Sequence, residues 1–333
     1  MATILVTGAA GFIGCNLVRV LLSETTHDVI GLDKLTYAGR PENLDIDSIT
    51  SRFTLVEGDI CDKPLVDELA RKSDAVVHLA AESHNDRGIE APEAFIQTNI
   101  YGTYVLLQAA LSHGLRFHHV STDEVYGSLS LDSRTSFKAS TPYAPTSPYS
   151  ASKAGADHLV RAWFHSFGLP ITISNCSNNY GPYQHVEKFI PRQITNIIDG
   201  DRPKLYGDGL HTRDWIHVED HCRAVLAILE SGRIGETYLV GADGEATNLD
   251  VIRILMYHLN ADDIRVDYVK DRPGHDRRYA IDATRLRSEL GWSPRHGDLS
   301  QGLAETVSWY IDNESWWRPA KRSTELMYER FSH

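Results

Sequence analysis

The sequence predicts an α/β fold: a doubly wound parallel sheet with helices on both faces, accompanied by a smaller α/β domain. Three observations carry this expectation. Through the first half of the chain, short β-branched or apolar runs alternate with longer stretches of helical spacing, the βαβ rhythm of a parallel sheet. A glycine triplet closes the first short run and opens the first helical one. After Tyr149 the alternation loosens, and strands and helices later return at shorter intervals. The pattern divides the chain into a first domain over 1–180, rejoined by some later segments, and a second mainly over 181–333.

Each element follows from local composition. The runs "ATILVTG" (2–8), "HDVIGLD" (27–33), "RFTLVEGD" (52–59), "DAVVHLAA" (74–81) and "LRFHHVS" (115–121) read as strands, being apolar or β-branched and bounded by Gly, Asp or Ser. Helical spacing fills "FIGCNLVRVLLSE" (12–24), "PLVDELARK" (64–72) and "APEAFIQTNIYGTYVLLQAALSHG" (91–114). A further helix, "SPYSASKAGADHLVRAWFHSFG" (147–168), precedes the strand "PITISNCSN" (170–178). Residues 179–220 are rich in Pro, Gly, Tyr and charge and read as loops. Strands and helices resume in "ETYLVG" (236–241), "NLDVIRILMYHL" (248–259), "IRVDYV" (264–269) and "SQGLAETVSWYI" (300–311).

Composition narrows the function. The 333 residues are 42% hydrophobic and 23% charged, ordinary for a globular chain with a sizeable core. A net charge of -12 disfavours a nucleic-acid partner, which selects for a basic patch. No apolar run reaches the roughly 20 residues of a membrane-spanning helix, and "MATILVTGAAGF" enters structure with no secretory leader. The four cysteines are scattered, which fits reduced thiols in a cytoplasm and neither disulfide nor metal use. Among 16 histidines no HExxH-type spacing occurs, so His118 and His119 read as strand residues and no metal site is expected.

"VTGAAGFIG" places Gly8, Gly11 and Gly14 between a strand and a helix start. Glycines there let the backbone approach a pyrophosphate, whose charge rests on the helix N-terminus. Alone the triplet marks only a tight turn. Asp33, nineteen residues after Gly14 at the second strand's end, adds a carboxylate that binds an adenosine ribose and repels a 2′-phosphate. Strand, triplet and acid together predict a dinucleotide site, NAD rather than NADP, with adjacent Lys34 pulling the other way. "GDI" (58–60) and "LAAES" (79–83) lie where such sheets hold ligands, beyond the carboxyl ends of their strands.

"PYSASKA" sets Tyr149 and Lys153 four apart, on one face of a helix. A free phenol titrates near ~10, and an ammonium beside it favours the phenolate. YxxxK arises by chance on many helices, but here it follows a nucleotide fold and a hydroxyl-bearing fifth strand. Asp123 and Glu124 stand side by side just past that strand. On a regular strand they would face opposite ways. With the strand ending at Ser121 and a helical start following, they diverge by about 100° and can flank one ligand. In isolation the same run reads as a helix N-cap with first-turn acids.

TGxxGxxG with YxxxK resembles the extended short-chain dehydrogenase/reductase family, and a small hydroxyl residue after the fifth strand, Thr122 here, fits it. "STDEVYG", "AAESH", "PYSASKAGAD", "CSNNYGPYQ", "EKFIPR", "LYGDG", "RDWIHVEDHC", "RPGHDRRYAID" and the C-terminal "NESWWRP" are similar to its 4,6-dehydratase branch, over nearly the whole chain. The resemblance implies a Rossmann-type domain holding NAD and a nucleotide-sugar substrate, dTDP-glucose, that is oxidised at C4, loses water across C5–C6 and regains hydride at C6, in deoxysugar biosynthesis. It implies catalysis by Thr122, Asp123 as acid, Glu124 as base, Tyr149 and Lys153. For the cofactor it implies Gly8, Gly11, Phe12, Ile13, Gly14, Asp33, Lys34, Leu35, Thr36, Asp59, Ile60, Leu79, Ala80, Ala81, Ser83, Thr98, Tyr149, Lys153 and Asn179. For the substrate it implies Ser83, Thr122, Asn178, Glu187, Lys188, Phe189, Lys204, Leu205, Tyr206, Arg213, Asn248, Arg272 and His275. The helices 91–114 and 147–168 resemble the family's dimerising pair, which implies a homodimer. Asn85 and Gly88 depart from the family's usual Val and Ser, beside the nucleotide-sugar crevice. A UDP-sugar 4-epimerase would share the cofactor site and Tyr149/Lys153 but has no use for Asp123 and Glu124; a catalytically silent NAD-binding regulator would need none of Thr122, Asp123, Glu124 and Tyr149.

Overall fold

The computed structural model describes residues 1–44, 51–84, 88, 91–271 and 274–330. Its first half is built from β1 (Thr3–Thr7), α1 (Phe12–Glu24), β2 (Asp28–Asp33), β3 (Phe53–Glu57), α2 (Lys63–Arg71), β4 (Ala75–His78), α3 (Pro92–Phe95), α4 (Thr103–His113), β5 (Arg116–Thr122), α5 (Pro148–Phe167) and β6 (Ile171–Cys176). A π-helical segment, Ile96–Gly102, joins α3 to α4. The strand and helix readings of the first half hold to within a few residues.

A short strand, β7 (Asn178–Tyr180), leads into α6 (Phe189–Ile198), β8 (Lys204–Tyr206), β9 (Thr212–His217), α7 (Val218–Ser231) and β10 (Thr237–Val240). The chain continues through β11 (Glu245–Thr247), α8 (Asn248–His258), β12 (Asp267–Val269), α9 (Thr284–Leu290), α10 (Leu299–Asp312) and α11 (Glu314–Arg330). Two readings are corrected here. The stretch 170–178 is not one strand: it breaks at Ser177, and Asn178 enters a different sheet. The loop-rich 179–220 contains α6, whose Pro191 sits in the first turn, where a missing N–H costs nothing.

The main sheet is seven-stranded and parallel, in the order β10-β6-β5-β4-β1-β2-β3. Side chains alternate across it. Ile4 and Val6 enter a core layer with α1 and α7, while Leu5 between them enters the opposite layer with α2, α4 and α5. Burial on both faces is why β1 reads as an unbroken apolar run, and truncating fully buried Leu5 to Ala should cost about 2–5 kcal/mol. Leu286 of α9 packs against β10 and α7, and most of the remaining elements form a second lobe. Its small sheets, β11-β9-β7 and β12-β8, pack with α6, α8, α10 and α11 around Ile194, Leu205, Ile252 and Trp317. Among the described residues no helix is long and apolar enough to cross a membrane. Strand order reverses between β1 and β4, and the crevice beyond their carboxyl ends is where such a sheet holds a ligand.

Candidate active site

One continuous cavity opens at that point and runs from Asp33 past the tips of β1, β4 and β5 to Lys188. At its first end, Gly8 has φ +71° and a Cβ there would stand 2.8 Å from the Ala80 nitrogen. A Cβ on Gly14 would stand 2.0 Å from the Gly8 carbonyl oxygen, so glycine lets α1 begin directly against β1. The N-cap of α1, Gly11, offers no side-chain oxygen, and the first turn carries no acid. The helix therefore presents uncapped N–H groups and the positive end of its dipole to the cavity, the donor set a pyrophosphate needs.

Asp33 is shaped by its backbone neighbours. Its Oδ2 accepts from the Ala10 N–H at 2.9 Å and its Oδ1 from the Leu35 N–H at 2.9 Å. Burial pushes its carboxyl upward against those bonds. A Cβ on Gly39 would fall 2.4 Å from Asp33 Oδ1, so the glycine keeps that carboxyl accessible. Lys34 turns to Asp59, Nζ to Oδ2 at 2.7 Å, which neutralises a cation next to Asp33.

Beyond β4, Thr7 Oγ1 accepts from the Leu79 and Ala80 N–H groups at 3.3 and 3.2 Å. Asn99 pins Glu82 by both its backbone groups, at 2.9 and 3.0 Å. The π segment makes this possible by placing Asn99 beneath the loop and Thr98 in the cavity wall.

The tip of β5 carries the acids. Thr122 is the last residue of the strand and caps a 3₁₀ turn over Asp123–Tyr126, its Oγ1 accepting from the Glu124 N–H at 3.3 Å. The expected departure from strand geometry is therefore present, one residue later than read, and both acids line the same cavity. Asp123 is 2% exposed; its Oδ1 accepts from the Thr122 hydroxyl at 3.3 Å, and its Oδ2 is buried with no hydrogen-bond partner among the described residues. Burial, followed by the neighbouring Glu124, pushes the Asp123 carboxyl well above its ordinary range. A carboxyl so placed holds its proton to higher pH than a free one, and in that form it can donate.

Helix α5 starts with a capping box between Ser147 and Ser150 and a Pro at its first position, which fixes where Tyr149 and Lys153 enter the cavity. Lys153 Nζ donates to the Val120 carbonyl at 2.8 Å, and burial lowers its pKa to about 8. The expected depression of the Tyr149 phenol is not what this geometry produces. Burial, then Glu124, push it well above 10, and the Lys153 ammonium is turned to a strand carbonyl.

Most of the sequence-derived residues converge here. The cavity is lined by Gly8, Gly11, Phe12, Ile13, Gly14, Asp33, Lys34, Thr36, Asp59, Ile60, Leu79, Ala80, Ala81, Ser83 and Thr98, and at its other end by Thr122, Asp123, Glu124, Tyr149, Lys153, Asn178, Asn179, Glu187 and Lys188. Lys188 Nζ donates to the Ser83 carbonyl at 2.9 Å, closing that end. Leu35 does not line it; its backbone has φ +52° and its side chain packs on the α1 core. Phe189 stacks on Trp215, ring centroids 6.1 Å apart, and Leu205 is wholly buried in the second lobe. Arg213 lies over the Tyr279 ring at 4.3 Å and donates to the Asp276 carbonyl at 2.9 Å. Lys204, Tyr206, Asn248 and His275 also lie off the cavity. Three of these gather around His211: His275 stacks on it at 3.8 Å, Tyr206 meets His275 edge-on, and the Asn248 N–H donates to the His211 carbonyl. Arg272 and Asn85 lie outside the described residues. Gly88 packs beneath Phe95, where a Cβ would meet the ring at 3.2 Å. Sequence reasoning gave no role to Val120, Cys176, Gln184 and His185 in the cavity wall; Cys176 and Gln184 bound the run "CSNNYGPYQ", whose asparagines alone were assigned.

The sequence profile of GDP-mannose 4,6 dehydratase matches residues 5–306. The chain belongs to that family. Among similar 4,6-dehydratases, the dTDP-glucose 4,6-dehydratase of Mycobacterium tuberculosis (strain CDC 1551 / Oshkosh) is 58% identical over 327 residues, 98% of each chain. A dTDP-glucose 4,6-dehydratase of Streptomyces venezuelae, solved with NAD bound, superimposes with a TM-score of 0.92 at 47% identity, over 96% of this chain and 99% of that one. A UDP-glucose 4-epimerase of Thermotoga maritima has the same fold, TM-score 0.86, at 28% identity over 93% of this chain and 99% of that one. The fold is thus shared between dehydratases and epimerases, and the acids at the tip of β5 are what this 4,6-dehydratase family member must be judged on.

Proposed function

We propose that this chain is an NAD-dependent dTDP-glucose 4,6-dehydratase, a hydro-lyase forming the 4-keto-6-deoxy sugar for deoxysugar (rhamnose-type) biosynthesis in a cytoplasm. The observation that carries the reading is the pairing of Asp123 and Glu124 on one 3₁₀ turn, in the cavity that also holds Tyr149 and Lys153. The uncapped α1 terminus, the Gly11 approach and Asp33 fit NAD. Bound NAD supplies the hydride acceptor for C4 and donor for C6, and its oxidised ring brings positive charge into the cavity. Tyr149 takes the O4 proton, with the Thr122 hydroxyl beside it and Lys153 gripping ribose hydroxyls. The C4 ketone acidifies C5, Glu124 removes that proton, and protonated Asp123 donates to the departing C6 hydroxyl. Lys188, Asn178 and the β8–β9 patch with Arg213 serve the nucleotide sugar, so residues 1–180 with later returning segments hold the cofactor and 181–333 mainly the substrate. The half-buried or buried state of all four cysteines fits a reducing compartment.

Incubating the purified chain with dTDP-glucose should generate the alkaline chromophore of the 4-keto sugar. The same assay with UDP- and CDP-glucose reads the base preference. An interconversion of glucose and galactose configurations without that chromophore would make the chain an epimerase instead.

A further inference from the structure

Helix α5 carries Tyr149, Lys153, Asp157 and Arg161 at successive intervals of four, so one helical face bears all of them. Lys153 is 4% and Asp157 0% exposed. We propose that Asp157 and His119 are positioning residues, which together hold the Lys153 side chain charged and fixed in the wall of the cavity. The role rests on the dehydratase reading above, in which Lys153 serves the oxidation.

The contacts form a chain. Lys153 Nζ approaches His119 Nε2 at 3.5 Å, and the same Nε2 stands 3.2 Å from Asp157 Oδ1. The imidazole edge therefore sits between the buried ammonium and the buried carboxylate. Behind it, Asp157 Oδ2 accepts from the Tyr143 hydroxyl at 2.6 Å and from Asn175 Nδ2 at 3.1 Å. Arg161 donates to the Tyr143 oxygen at 2.7 Å, anchoring the chain where α5 nears the surface. Such donors keep a buried carboxylate ionised. Burial opposes this at Asp157, yet His119, Lys153 and Tyr143 together hold its carboxyl down to about 2.

The groups facing Lys153 come from three strands and its own helix. His119 on β5 is lowered to about 4, and His78 on β4 well below its ordinary value, both chiefly by burial. Cys176 on β6 is raised to about 12, and Tyr149 on α5 well above 10, again by burial first. All four are neutral near pH 7. Asp157 is the chief charge opposing the burial that lowers Lys153. Without it, an ammonium facing only a strand carbonyl and a neutral imidazole gives up its proton more easily.

Competitive acetylation with acetic anhydride across pH, read by mass spectrometry on the full chain, gives the Lys153 titration midpoint without reference to turnover. Asp157→Asn should lower that midpoint by roughly one pH unit or more. His119→Leu, which removes the imidazole lying between Lys153 and Asp157 and adds no charge, should lower it in the same direction and keeps the test decisive if Asp157→Asn does not fold. The alkaline limb of the dehydratase pH profile should move down with the midpoint, kcat falling more than KM for dTDP-glucose rises, and Asp157→Glu should restore both. An unmoved midpoint in either folded variant overturns the proposal. If the midpoints shift but the unaltered chain turns over no dTDP-glucose, the dehydratase reading fails and the role of Asp157 and His119 in holding the charge stands.

Discussion

Asp123 shows what a single residue can reveal and what it conceals. Its type, its place after Thr122 and the upward push of Glu124 beside it were legible in the sequence; the larger cause, its burial, was not. The raised carboxyl has a thermodynamic consequence. The folded chain keeps a proton that the unfolded chain releases above about pH 4, so folding stability falls as pH rises from there toward the folded value. Each unit of elevation corresponds to about 1.4 kcal/mol. Asp123→Asn removes the ionisable group, keeps the shape and should raise the thermal midpoint at pH 7, with the advantage vanishing near pH 4. The same variant should slow dehydration by ~10²–10⁴-fold while C4 oxidation persists. A lowered midpoint at pH 7, or equal losses in both half-reactions, contradicts the role. The partners of Lys153 were hidden for another reason: His119 lies 34 positions away, and only the pairing of β5 beneath α5 brings the two together.

Elements were legible where periodicity and flanking chemistry agreed, and obscured where they conflicted. β1, α1 and β2 satisfy both, since β1 ends in the glycine turn from which α1 begins and β2 ends in Asp33. α6 was masked by the Pro, Gly and Tyr around it, and β7 by running on from β6 with one residue between them. The start of α1 makes a sharp prediction. Gly14→Ala places a methyl 2.0 Å from the Gly8 oxygen, so helix and strand must part. The strain should cost about 1–3 kcal/mol in stability and weaken NAD binding at least roughly tenfold, the equivalent of ~1.4 kcal/mol, read by fluorescence titration. Unchanged NAD affinity would mean the α1 terminus does not hold the pyrophosphate. The outer faces of the π segment and α5 make another. Ile96 and Phe167 are 53% and 55% exposed, and Tyr101, Tyr104, Trp163 and Phe167 form a linked aromatic strip. Burying that strip against a second copy about a two-fold axis gives a four-helix contact. Sedimentation should show a dimer at micromolar concentration that Phe167→Asp weakens, and a persistent monomer of the unaltered chain excludes the contact.

At the scale of the whole molecule, the parallel sheet was legible because its strands are buried on both faces, while the spatial placement of residues that the resemblance assigns to the substrate was not. Arg213, Asn248 and His275 are far apart in sequence, and their positions depend on how β8, β9 and the segment after β12 fold together. The architecture nonetheless constrains the reaction as a unit. The glycine turn and Asp33 at one end, and Asp123, Glu124 and Tyr149 at the other, open on a single cavity. On the proposed reading, a sugar held there would have its C4, C5 and C6 within reach of one cofactor and one acid–base pair, and the hydride removed from C4 would return to C6 rather than pass to solvent. Deuterium placed at C4 of dTDP-glucose should accordingly be recovered at C6 of the product. The hydrogen at C5 should come from water, because Glu124 exchanges the proton it removes. No reduced cofactor should build up in proportion to product, since the redox change at C4 is cancelled at C6 within one turnover. Loss of the label to water, or an absorbance of reduced nicotinamide rising with product, would mean that oxidation and reduction are not coupled in this cavity, and that the two acids at the tip of β5 serve some other reaction.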